Sequence, residues 1–165
     1  MKRGILKAAL LLLTCCSSAV QQRNDALSLS PTDEPIVVAL LRYAINDLRV
    51  NGLRASVCCV EVQGHVAPPR LLAQLGETKP PVRGPTDCKK EKEPVPPGEF
   101  RVVERATGEP AALLSVAITK RLDPEHVEAS FGWEQAGMAS RTVSLRMHKV
   151  GDHWTIEEQL YSIQS

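Results

Sequence analysis

Residues 126–133 read His-Val-Glu-Ala-Ser-Phe-Gly-Trp, with Val127, Ala129, Phe131 and Trp133 in strict alternation with His126, Glu128 and Ser130. A two-residue period sends successive side chains to opposite faces, so the stretch predicts a strand with one apolar and one polar side. The pattern continues on both flanks. Upstream, Phe100–Arg105 is followed by a turn at Thr107-Gly108-Glu109-Pro110, and Leu114, Val116 and Ile118 alternate within Ala112–Lys120 before Asp123-Pro124-Glu125 turns the chain. Downstream, past a loop around Gly137, Val143, Leu145 and Met147 alternate with Thr142, Ser144, Arg146 and His148. Gly151-Asp152 then closes a hairpin into His153–Ile163. Successive strands that are apolar on one side only predict an antiparallel meander with a single covered face.

What covers that face is written earlier in the chain. Ser30-Pro31-Thr32-Asp33 has the marks of a helix start: a capping hydroxyl, a proline where no N–H is needed, and a carboxylate three residues after the cap. Val37, Leu40, Leu41, Ala44, Ile45 and Leu48 fall at three- and four-residue spacing, which predicts one apolar helix face up to about Arg49, with Asn51-Gly52 as the stop. Ala55–Val62 is strand-like, and Pro69–Leu75 predicts a short helix burying Leu71, Leu72 and Leu75 and ended by Gly76. From Glu77 to Gly98, Pro80, Pro81, Pro85, Pro94, Pro96 and Pro97 argue against regular structure and predict a long loop. The expected fold class is therefore α+β: an N-terminal helix packed on a curved antiparallel meander sheet, one domain over 30–165 with a Pro-rich loop at 77–98.

The first residues predict export. Lys2 and Arg3 precede an apolar block from Ile5 to Leu13 interrupted by Lys7, followed by small residues through Ala19. A basic head, a short apolar middle and a small-residue tail form the secretory signal pattern, and the block is well short of the ~20 residues needed to span a bilayer. Two outcomes stay open. Ser17 and Ala19 suit a signal peptidase, which would release a soluble periplasmic or secreted chain starting at Val20. Alternatively Leu12-Leu13-Thr14-Cys15 resembles the lipobox of bacterial lipoproteins, with the signal ending at Thr14 or Cys15 and with Cys15 or Cys16 as the lipidated residue that anchors the protein to the cell envelope. A polar linker over 20–29 follows in either case.

With the signal removed about 146 residues remain, enough for one self-sufficient core. Formal net charge is +1 with both signs interspersed, which argues against nucleic acid as a partner. The run Lys89, Lys90, Glu91, Lys92, Glu93 reads as a solvated loop. Of the 5 cysteines, Cys15 and Cys16 fall in the signal, leaving Cys58, Cys59 and Cys88 in an oxidising compartment. Adjacent strand residues face opposite ways, so only one of Cys58 and Cys59 can reach Cys88; Cys59, on the face of Val57, is the expected partner. Two adjacent thiols and a distant one offer no metal-ligand spacing, so neither a metal nor a cofactor is expected.

Helix, strand, short helix and long meander after an export signal, with the Gly151-Asp152-His153-Trp154 hairpin, resemble the cystatin-like or NTF2-like arrangement of small bacterial exported proteins. The resemblance covers 30–165 and implies a curved sheet wrapped on the long helix, leaving a concave pocket. The inhibitory Q-x-V-x-G loop of cystatins is not met, because Gln63-Gly64-His65-Val66-Ala67 carries His where Val is required. Pairing Val150 with His153 sets Glu157 beside Arg146, Leu160 beside Val143 and Glu158 opposite Leu145. Glu158 is thereby a candidate pocket acid, unless a bulge or strand-end twist delivers it to water. His148 and His153 fall near one another on the outer face without a third metal ligand, and His65 reads as a turn residue. Trp133, Trp154 and Phe131 read as core, with ligand stacking as the lesser alternative. The expected function is an exported binding or interaction domain of the cell envelope, its partner an envelope protein or small ligand, touching membrane only through a lipid anchor. The alternative is an enzyme or small-ligand binder with Glu158 as its acid.

Overall fold

A computed structural model describes residues 29–51, 54–92, 100–137 and 139–165. The expected signal over 1–19 with Cys15 and Cys16, nearly all of the linker, and Pro94, Pro96 and Pro97 lie outside the described residues.

Helix α1 spans Glu34–Val50. It begins later than its expected cap. Ser30 instead closes a turn, its carbonyl accepting from the N–H groups of Asp33 and Glu34 and its hydroxyl from Asp33 at 3.1 Å, and Pro35 takes the first-turn position where its missing N–H leaves no bond unmade. Ile36, Val37, Leu40, Leu41, Ala44 and Leu48 are fully buried. The next elements are β1 (Val57–Val62), β2 (His65–Val66), a short α2 (Pro69–Gln74) and β3 (Val82–Arg83). They are followed by β4 (Cys88–Lys92), β5 (Phe100–Glu104), β6 (Ala111–Arg121), β7 (His126–Ala136), β8 (Ala139–Val150) and β9 (His153–Gln164). Together the strands form one mostly antiparallel sheet of nine. Among the described residues no helix is long and apolar enough to cross a membrane.

The meander is β6-β7-β8-β9, each strand antiparallel to the next. Its apolar side is Leu114, Val116, Val127, Ala129, Phe131, Trp133, Val143, Leu145 and Met147, which share one core with the buried face of α1. Tyr43 meets Phe131 edge to face at a centroid distance of 5.8 Å. Where α1 and the sheet meet, these side chains fill the space.

The sheet departs from a simple meander in three places. First, β5 does not lead the meander: it forms a hairpin with β4 and, among the described residues, pairs with β7 at one position, Arg101 opposite Ala136. Second, the Lys89–Lys92 run is no loop but the body of β4, paired from Cys88 opposite Glu104 to Lys92 opposite Phe100. Its prolines flank it on both sides and none interrupts it, so its donors are free to pair. Third, β1 lies parallel to both β3 and β6 and is buried on both faces. Cys58, Val60 and Val62 join the helix-side core, while Val57 and Cys59 form a second cluster with Cys88, Val102 and Ala111 beneath the β4–β5 hairpin. The disulfide joins Cys59 to Cys88 as expected. Burial pushes the thiol of Cys58 up to about 12, because a thiolate there would be stripped of water with no cation to offset the loss.

Candidate functional site

Glu158 stands opposite Arg146, not Leu145, because β9 carries irregularities where Ser144 passes to Leu145 and where Arg146 passes to Met147. Each extra residue on β9 shifts the register by one. Leu160 consequently does not reach Val143, which pairs with Ser162. The Glu158 side chain is 55% exposed and accepts from Arg146 at 3.1 Å, with Glu128 facing the same guanidinium at 3.7 Å. The result is a cross-strand charge ladder on the outer face.

At the hairpin tip the register is the expected one, with His148 opposite Thr155 and Val150 opposite His153, so His153 stays diagonal to His148. On the other side His126 lies directly opposite His148, with stacked rings 6.3 Å apart. His126 Nδ1 sits 3.0 Å from the carboxylate of Asp123, which also accepts from the backbone of Glu125 and His126 at 2.8 Å. Those backbone donors, with the imidazole beside them, hold the Asp123 carboxyl below its usual range. Asp123 therefore organises the turn between β6 and β7. Among the described residues no group of three or more His, Cys, Asp or Glu is placed to hold a metal.

That turn forms one wall of the largest cleft described, about 840 Å³, between the start of α1 and the β8–β9 hairpin tip. Pro31, Pro35, Leu122, Pro124 and Trp154 give it apolar walls, and Arg121, Asp123, Lys149 and Asp152 a charged rim. A second cleft of about 480 Å³ continues along α1 past Val38, Ala39 and Arg42, sharing Pro35, Asp152 and Trp154 with the first. Trp154 is thus the common wall of both. The structure separates the three large aromatics that the sequence read together as core. Phe131 and Trp133 are buried, whereas Trp154 packs one side on the core and leaves the other in the clefts. Its position in the sequence is what sets it apart from the other two, for a residue three past the hairpin glycine sits at the sheet's end.

A buried polar cluster lies at the opposite end of α1. The Asp47 carboxylate accepts from Trp133 Nε1 at 3.1 Å and lies 3.3 Å from Arg141 Nε, with the two ionic side chains 12% and 16% exposed. Arg141 Nη1 also donates to Gln164 at 3.2 Å. Nothing in the sequence pattern singled out this group, because its members come from α1, β7, β8 and β9. Compared with known proteins, the chain matches no family model, no curated protein and no solved structure.

Proposed function

We propose that this protein is an exported binding domain of the cell envelope, built on a cystatin-like or NTF2-like arrangement, and that it holds a segment of an envelope protein in the paired clefts at Trp154. The observation that carries the reading is the half-covered indole of Trp154 between two apolar-walled clefts with charged rims. A large, rigid aromatic at the centre of a recess with polar surroundings is the usual anchor of a protein interface. Prolines on three sides keep the recess shaped before a partner arrives, which lowers the ordering cost of binding.

Export is supported by the disulfide, which is characteristic of oxidising compartments, and by the basic-apolar-small order of residues 1–19. Intact-mass measurement of protein from its native host is expected to show loss of residues 1–19, or loss of the residues through Thr14 or Cys15 with a lipid added. A full-length cytoplasmic species as the active form would refute export.

The binding site is tested by placing a photo-crosslinking side chain at Leu122 or Lys149 in cells. Discrete adducts are expected from both positions and none from Thr107, which lies on the turn before β6. Trp154→Ala should reduce adduct yield by about tenfold or more, the equivalent of a hot-spot truncation. Equal yields from Thr107, or no change on Trp154→Ala in a folded variant, would dispose of the site.

A further inference from the structure

The two long sides of the sheet are finished differently. Beside β1, the β2 hairpin pairs with Glu61 and Val62, and β3 pairs with Cys58 and Cys59, so short strands cover that side. On the other side, among the described residues, β9 pairs with β8 alone. As far as Leu160 it is guarded: both register shifts fall before Tyr161, and Glu157 and Glu158 place adjacent negative charges on it. Bulges and charges are the standard means of keeping an edge strand from pairing. From Tyr161 to Ser165 there is neither a charged side chain nor an irregularity, and Tyr161 and Ile163 are 54% and 65% exposed.

Which backbone groups this segment offers follows from its bonds to β8. Ser140 and Ser165 exchange both N–H···O bonds at 3.1 Å, and the register is regular from there through Thr142 opposite Ile163. Antiparallel ladders alternate, so Ile163 also spends its N–H and C=O on β8, while those of Ser162 and Gln164 point outward, with no strand partner among the described residues. We propose that this edge pairs antiparallel with the same edge of a second copy, about a twofold axis at Ile163. In that register Ser162 of each copy faces Gln164 of the other, and the outward groups meet as reciprocal hydrogen bonds. Ile163 meets Ile163 as the non-hydrogen-bonded pair, whose side chains approach most closely, and Tyr161 lies diagonally against the same isoleucine. Glu157 and Glu158 fall outside the paired segment, so no like charges are opposed. The segment is its own complement, as a twofold interface requires. The contact is far smaller than the ~1,600 Å² of a standard interface, so the dimer is weak and concentration-dependent.

The test uses the full chain with Cys15→Ser and Cys16→Ser in every variant, and it is independent of the Trp154 cleft, since Trp154→Ala should leave association unchanged. Sedimentation velocity should show monomer at micromolar concentration and dimer growing in toward about 1 mM. Ser162→Pro removes an outward donor but no bond to β8 and should weaken association by roughly tenfold or more. Ile163→Cys should form an intermolecular disulfide under mild oxidation, because non-hydrogen-bonded pairs hold Cα atoms about 4.5 Å apart; Lys120→Cys, on an exposed end of β6, should not. Monomer at all concentrations, undiminished association of Ser162→Pro, or equal crosslinking through Lys120→Cys would overturn the proposal.

Discussion

Cys59→Ser is expected to lower unfolding free energy by about 3.6 kcal/mol, the chain-entropy value for releasing a loop whose ends are 29 residues apart. The bond also closes the small cluster of Val57, Cys88, Val102 and Ala111 beneath the β4–β5 hairpin, so some apolar contact goes with it. Equilibrium denaturation of oxidised wild type, reduced wild type and Cys59→Ser measures the effect, and the variant should fall below reduced wild type because its hydroxyl is set among the buried apolar side chains of that cluster. A difference below about 1 kcal/mol between oxidised wild type and the variant would show that the hairpin is held by other contacts. Cys58 is the informative control. It is fully buried against the helix, so Cys58→Ser places a hydroxyl in apolar surroundings at a cost of about 1–3 kcal/mol, whereas Cys58→Ala should cost less. Adjacent cysteines thus report on two different cores.

The second large effect is expected at Asp47. Asp47→Ala leaves the Arg141 guanidinium under α1 with Gln164 as its remaining hydrogen-bond acceptor, and it leaves the Trp133 N–H without its carboxylate. Removing one member of a largely buried pair costs about 3–5 kcal/mol, most of it from the abandoned charge. Because both side chains keep some solvent contact, the lower end of that range is expected. Asp47→Asn should lose less, since its carbonyl can still accept from the indole. Asp47→Leu combined with Arg141→Leu should recover much of the loss, as apolar replacement of whole buried pairs commonly does. Thermal or urea denaturation separates these cases, and a double variant no better than Asp47→Ala would show that the ion pair itself stabilises the fold.

How far the fold was legible in the sequence depended on whether a feature was local. The meander was readable because Val127 to Trp133 and Val143 to Met147 repeat every second residue and face one core. The disulfide partner was readable from alternation along β1. Alternation did not reveal that β1 is covered on both sides, since Val57 and Cys59 look like any apolar pair until the β4–β5 hairpin is laid over them. The hairpin was hidden by composition: prolines around Cys88–Lys92 masked the proline-free run that pairs with Phe100–Glu104. On β9 the two irregularities moved Glu158 to Arg146, and no periodicity announces an inserted residue. The clefts at Trp154 were the least legible, being made by three distant turns whose proximity only the folded chain supplies.

The parallel pairing of β1 with β6 also constrains the order in which the molecule assembles. Each connection in the meander closes a short loop, whereas Ser56 and Pro110, which bond at 2.8 Å at the start of the parallel ladder, are 54 residues apart. Loop-closure entropy must be met before such distant contacts can stabilise anything, and topologies rich in them fold slowly. β6 to β9 can therefore collapse onto α1 as a partial sheet while β1, β3 and the hairpin are still searching. During that interval the side of β6 later covered by β1 is itself an open edge, so oxidation at Cys59 and Cys88 fixes the last strand to arrive.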